Sequence, residues 1–459
     1  MCCYDSGFYG SSAMSKARFS QSNETLQQIA ADVLARARDR GADACETDVS
    51  EGYGQTVTVR KGEIETIEHN RDKGLGVTVY IGRKKGHASS SDFASRAVAD
   101  AVDAALSIAR FTAADECAGL ADPELLCRET RDLDLFHPWD IGVDEAIEVA
   151  RTCEAAAFRL DPRVVNSEGA TVSSQQSRFV LANSLGFMGG FPSSRHYISC
   201  AVIAAEGEQM QRDDWHVSQR RAADLGKPEA IGDYAGRRAL ARLRGRKIDT
   251  MSVPVLFEAP VANGLLSHFV SAVSGGNLYR KSSFLLDSIG QQVFSPIVHI
   301  VERPHVPRAM ASTWFDDDGV ATREREVVRG GVLQGYFLGT YSARKLAMKS
   351  TGNAGGNHNL VLDPGELDLE GLIRHMGRGL LVTELMGQGV NLVTGDYSRG
   401  ASGFWIEGGE VRYPVEEITI AGNLRDMFRS IAAVGRDVLV RGSRQCGSVL
   451  IERMTIAGN

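Results

Sequence analysis

No apolar run in the 459 residues approaches the ~20 needed to cross a bilayer as a helix, which speaks against a membrane span. Excess positive charge is missing too. Fifty-one Lys and Arg stand against 58 Asp and Glu, for a net charge of -7, which excludes nucleic-acid binding through bulk charge. The eight cysteines, at 2, 3, 45, 117, 127, 153, 200 and 446, form no CxxC and no dense framework, as in a reduced cytosolic protein. Residues 1–25 lack the basic and apolar regions of a signal peptide. Residues 1–21 are therefore expected to be a disordered leader, and the cytoplasm is the expected compartment. A P-loop, a GxSxG elbow and a two-histidine HExxH helix are all absent, which removes the simplest nucleotide, serine-hydrolase and zinc readings.

What is present reads as α+β. Leu26, Ile29, Val33 and Leu34 share a helical face that Ser22 or Asn23 can cap and Gly41 can close. Alternating segments around Lys61-Gly62 and around residues 83–86 predict two hairpins, followed by a helix over about 92–109. A polar connector over about 117–140 leads to a helical stretch beginning VDEAIEV, then strands near Val172, Phe179 and 198–204. The basic helix EAIGDYAGRRALARLRGRK, with Arg237, Arg238 and Arg242, is expected to present a solvated face. Residues 249–459 are rich in glycine and short strands. The expected organisation is thus a leader (1–21), an N-terminal α+β domain (22–115), a middle region (116–248) and a larger strand-rich C-terminal domain (249–459), with antiparallel sheets.

Three local patterns invite chemistry. Asp316, Asp317 and Asp318 precede Gly319, but a calcium loop's spacing and closing Glu are missing, so a polar turn between strands is expected. Tyr341 and Lys345 have the YxxxK spacing of short-chain reductases, without the nucleotide loop or βαβ repeat such enzymes need. The segment PVANGLLSHFVSAVSGG follows the strand-like VPVLFEA and carries a lone histidine, His268, which is not by itself a metal site.

The long stretches YRKSSFLLDSIG, ASTWFDDDGVATRERE, TYSARKLAMKSTGNAGG, VTELMGQGVNLVTGDYSRGASGFWIEGGE, YPVEEITIAGNLRDMF and QCGSVLIERMTIAGN resemble the PmbA/TldD family, in its PmbA (TldE) branch. The N-terminal DKGLGVTVYIGRKKGHASSSD supports the same resemblance, which runs from about residue 21 onward. It implies a cytoplasmic subunit of a heterodimeric protease, formerly called modulator of DNA gyrase. A TldD-like partner would carry the zinc, and the substrates would be unfolded peptides. TldD-type members place an HExxxH motif on the helix after the VPVLFEA strand, two histidines binding zinc beside a glutamate base. In this chain Asn263 stands for the first histidine, Gly264 for the glutamate, and His268 for the second histidine. The cysteine ligand of such members is not carried over to Cys446. A catalytic zinc needs three protein ligands, and losing a general base removes ~10²–10⁴ in rate, so a non-catalytic subunit with no metal of its own is expected.

Ala262, Leu265, Leu266, Phe269, Val270 and Val273 suit the core side of that helix. Tyr341, Arg344, Lys345, Tyr397 and Arg399 are candidates for lining a peptide channel or an interface, or for maintaining the subunit's own fold. Two rival readings stay open at this level. One is a peptidase in its own right, as a homodimer; the other is a peptide-binding module without proteolysis. No nucleic-acid or membrane partner is expected.

Overall fold

The computed structural model describes residues 19–458. The expected leader lies mostly outside the described residues, but its last part is held: Ser20 and Gln21 donate from their backbone N–H groups to the Glu51 carboxylate, each at 3.1 Å.

Helix α1 (Asn23–Asp39) begins at Ser22, whose hydroxyl accepts from Thr25 N, and the chain leaves it through Gly41 at φ +89°. Strands β1 (Ala44–Arg60) and β2 (Glu63–Ile81) join at Lys61-Gly62, both at positive φ, the conformation that suits a two-residue hairpin. Strand β3 (Lys84–Ser90) returns after Gly82-Arg83, earlier than the 83–86 turn expected from sequence. Gly82, at φ +59°, takes the turn, while Gly86 pairs with Val79 inside the strand. A Cβ on Gly86 would lie 2.0 Å from Ala105 O, so that glycine serves the close packing of helix α2 (Ser95–Phe111). Helix α3 (Val143–Leu160), the long strands β4 (Val164–Asn183), β5 (Met188–Glu206) and β6 (Gln209–Gln219), and helix α4 (Pro228–Ala241) follow.

These strands make one antiparallel sheet in the order β3-β2-β1-β4-β5-β6, so β1 pairs with β4 across the sequence division at 115/116. Alternation along β1 puts Cys45 and Val49 into one core with α1 and α2, and Val57 and Val59 into a second with α3 and α4. The opposite face, through Phe179 and Phe191, meets Trp314 and Phe315 of the C-terminal half.

That half begins with β7 (Met251–Phe257), α5 (Ala259–Ala272) and α6 (Gly275–Tyr279). It continues through β8 (Ile300–Glu302), β9 (Arg325–Arg329), β10 (Val332–Leu333), α7 (Thr340–Lys345), β11 (Leu360–Leu362) and α8 (Leu369–Met376). Strands β12 (Arg378–Met386), β13 (Asp396–Glu407) and β14 (Glu410–Asn423), helix α9 (Leu424–Arg429), then β15 (Ile431–Val434), β16 (Leu439–Arg441), β17 (Arg444–Cys446) and β18 (Val449–Ala457) complete it. Two six-stranded sheets result, β10-β9-β8-β11-β17-β16 and β14-β13-β12-β7-β18-β15. The antiparallel expectation fails at two places, because β7 pairs with β12, and β11 with β17, in parallel; each pair is joined by a long excursion that lets the chain re-enter in the same direction. Helix α5 sits in the core between the sheets, with Ala262, Leu265, Leu266, Phe269, Val270 and Val273 all buried. Phe269 meets Phe294 edge-on, and Phe294 stacks on Phe428. Each fully buried side chain of this size contributes ~1.5–3 kcal/mol, which fixes the helix and everything it carries.

Candidate functional site

Pro260 in the first turn and the apolar face start and seat α5, whose polar positions then decide what chemistry the helix can support. Asn263 is buried; its Nδ2 donates to Ala259 O one turn back at 3.1 Å, and its Oδ1 has no partner. Gly264 faces open space, with nothing within 4 Å of where a Cβ would stand. His268 lies edge-on against Tyr397 with ring centroids 5.9 Å apart. Burial first, then the Arg399 and Arg444 guanidiniums, push its pKa down to about 4. Cys446, on β17, packs its sulfur 4.0 Å from Ala259 O, and burial pushes the thiol up to about 12.

The zinc that the resemblance would place on such a helix does not fit this donor set. The set consists of one imidazole kept neutral by burial and two nearby guanidiniums, an amide whose nitrogen donates back to a carbonyl of its own helix, a missing glutamate and a thiol resistant to ionisation. No group of three or more His, Cys, Asp or Glu side chains suited to a metal occurs among the described residues. The structure thus brings Asn263, Gly264 and His268 onto one short helix without assembling a ligand cage.

The other expected positions fall in two places. Tyr397 lies on β13 beside His268, its hydroxyl buried without a partner and its pKa pushed up to about 12 by burial. Arg399, two residues on, donates from Nε to Met386 O at 3.0 Å. On α7, Tyr341 OH donates to Asp115 Oδ2 at 2.7 Å and Lys345 Nζ to Asp115 Oδ1 at 2.9 Å. Arg344 donates to Leu120 O at 2.7 Å and to the Asp122 carboxylate at 2.8 Å. The YxxxK spacing therefore serves to tie α7 to the connector, with Tyr341 and Lys345 sharing a carboxylate rather than Lys345 acting on a phenolate. Both also line a cavity of about 780 Å³ that includes Glu46 and Asp318.

The Asp316–Asp318 turn does join two short bridged segments, as expected, with Asp316 buried, Asp318 half-buried and Asp317 exposed. Asp316 accepts from the backbone N–H groups of Asp318, Val320 and Ala354 at 2.9–3.0 Å. Burial, and then the neighbouring Asp318 charge, push its carboxyl up to about 7. With Asp48 and Asp317 it edges an interdomain cavity of about 650 Å³. Sequence offered no hint of Asp48 there, because that residue arrives from β1, far away in the chain.

The basic face of α4 is also corrected. Arg238 is not solvated: its Nη1 meets both Glu258 oxygens, at 2.9 and 3.0 Å, and its Nε meets Asp213 at 3.0 Å. Arg242 pairs with Glu384 of β12 and donates to Arg212 O at 2.8 Å. These arginines rivet the first sheet to the C-terminal core at the root of α5, and only the helix's outer charges, such as Arg237 with Asp233, face water.

The chain and its fold have close relatives. Family models match the chain in order: PmbA/TldA metallopeptidase domain 1 over residues 45–109, the central domain over 136–243 and the C-terminal domain over 250–458. The chain is 50% identical over 417 residues to Metalloprotease PmbA of Escherichia coli O157:H7, covering 91% of this chain and 93% of that one. It is 46% identical over 437 residues to the Metalloprotease PmbA homolog of Haemophilus influenzae, covering 95% and 97%. A solved structure described as a modulator of DNA gyrase, from Bacteroides thetaiotaomicron, matches with a TM-score of 0.90 at 27% identity, over 95% of this chain and all of that one. TldE from Thermococcus kodakarensis shares the fold with a TM-score of 0.82 at 21% identity, over 94% of this chain and 100% of its own. The chain belongs to the PmbA/TldD metallopeptidase family.

Proposed function

We propose that this chain is a PmbA/TldE-like, non-catalytic subunit that completes a cytoplasmic zinc metalloprotease with a TldD-like partner acting on unfolded peptides. The observation that carries the reading is α5: where a metalloprotease helix needs two ligands and a base, this one offers Asn263, Gly264 and a desolvated His268. Zinc, in this reading, belongs to the partner, where it would polarise the peptide carbonyl and its attacking water. This chain's residues contribute shape and binding: the core around α5 holds the helix rigid, and Arg399 and Arg444 disfavour a cation at His268. A homodimeric peptidase is disfavoured by the same donor set.

The experiment is a digestion assay on an unfolded substrate such as casein, with the full chain alone and with a TldD-like chain added. Cleavage only in the mixture, insensitive to His268→Ala in this chain, is the expected result. Cleavage by the chain alone, lost in His268→Ala, would refute the assignment.

A further inference from the structure

Between the two halves runs a cleft of about 700 Å³, walled by β6, the 303–310 loop and the β16–β17 hairpin. Its charge is lopsided. Five arginines line it, and Asp224 is the one carboxylate doing so among the described residues. Arg221 pairs with Asp224, Arg303 with Glu324 and Arg308 with Asp134. Arg441 and Arg444 have no ion pair among the described residues. Arg441 donates to His216 O at 3.0 Å and lies over the Trp215 ring, 4.6 Å from its centroid. Arg444 keeps a buried Nε without a partner. A half-buried guanidinium lacking an ion pair is costly, and two side by side are more so, which makes an anionic group from outside the chain favourable here.

The walls say what kind of molecule that is. Strands β6 and β16 are each the last strand of a sheet, pairing only with β5 and β17 respectively among the described residues, so each has an edge without a strand neighbour, although on β6 the His216 carbonyl is already taken by Arg441. Open edges present backbone N–H and C=O groups in the spacing of another extended chain. Val440 on β16 and Val306 on the facing loop are 51% and 39% exposed, apolar positions that a peptide's alternate side chains would cover. A nucleic acid would use the arginines but not the strand edges.

We propose that this cleft binds an extended, acidic peptide segment, whose backbone pairs with an edge of β6 or β16 and whose carboxylates meet Arg441 and Arg444. It rests on the proposed role only in taking the natural ligand to be part of an unfolded substrate. The cleft reaches the α5 region through Arg444, whose charge is one of those felt by His268. Acidic stretches of a substrate would thus be held by this subunit while cleavage occurs elsewhere.

The test uses the full chain without any partner, so its outcome is independent of the digestion assay. Fluorescence anisotropy would be read with a labelled peptide alternating glutamate and valine, with its lysine and glutamine counterparts, with a backbone N-methylated glutamate version, and with a labelled single-stranded oligonucleotide. The glutamate peptide is expected to bind at least about tenfold tighter than the others, weakening as salt rises. Arg441→Gln with Arg444→Gln should abolish the preference. Val440→Glu, at an exposed position that leaves the fold intact by its melting curve, should weaken binding through like charge. Equal binding of all three side-chain versions, tighter binding of the oligonucleotide, or an unchanged affinity in both variants would overturn the proposal. Tight binding of the N-methylated version would overturn the strand-edge part of it.

Discussion

Two sets of arginines cross the same boundary between the N-terminal sheet and the C-terminal core, and they are treated oppositely. Arg238 and Arg242 reach across with carboxylates waiting at Asp213, Glu258 and Glu384, and are nearly as buried as the apolar core. Arg441 and Arg444 come from the other side: Arg441 finds one carbonyl and a ring, Arg444 keeps an unpartnered Nε, and neither has an ion pair among the described residues. Arg238 and Arg242 thus arrive with carboxylate partners, and Arg441 and Arg444 do not. By that criterion the α4 seam is architecture and the β6–β16 cleft is a place of binding. Helix α5 lies between them with its own polar groups blunted.

The largest effect should come from the paired set. Glu258→Gln removes one of the two carboxylates held by Arg238 while Asp213 keeps the guanidinium paired, and should cost about 2–3 kcal/mol in urea unfolding, the usual worth of hydrogen bonds to a charged group. A loss below ~0.5 kcal/mol would mean the seam is slack and would blur the contrast with the cleft.

Arg344 tests an intermediate case, bonded mainly to carbonyls of the connector yet also to Asp122. Arg344→Ala should cost about 1–2 kcal/mol and expose the connector to protease, checked by limited digestion of the variant against the parent. Much of this was hidden from the sequence. The Lys61-Gly62 hairpin and the extent of α3 were legible because positive φ and helical period are written locally. The partners of Arg238 and Arg344 were not: Arg344 reaches Leu120 and Asp122 more than two hundred positions back, and no periodicity encodes that. The blunted metal helix was legible only as a pattern of substitutions, and the cleft not at all, since Arg441 and Arg444 sit in an unremarkable run until β6 is laid beside them.

A smaller, pH-dependent effect links the unpaired cations to α5. His268 titrates near 4 rather than 6.5, so above pH 6.5 it costs nothing, and as pH falls from 6.5 toward 4 the unfolded chain takes up a proton that the folded one refuses. Stability should therefore decline through that window. Arg444→Gln should raise the His268 pKa, read from its imidazole resonances by NMR, and reduce the decline. An unchanged titration would separate the cleft from α5.

Least affected should be Arg441→Gln. With no carboxylate to strand, it loses a cation–π contact and one hydrogen bond to a carbonyl but also sheds a desolvated charge, for a net change under about 1 kcal/mol in thermal or urea unfolding. A loss as large as that of Glu258→Gln would show that Arg441 is structural after all.

The account turns on α5 holding no catalytic metal, and the measurement nearest to that claim is zinc content per chain in protein purified without chelator. Substoichiometric zinc, unaltered by His268→Ala, is the predicted result. One tightly held zinc per chain, lost in His268→Ala, would contradict it and make this helix an active centre.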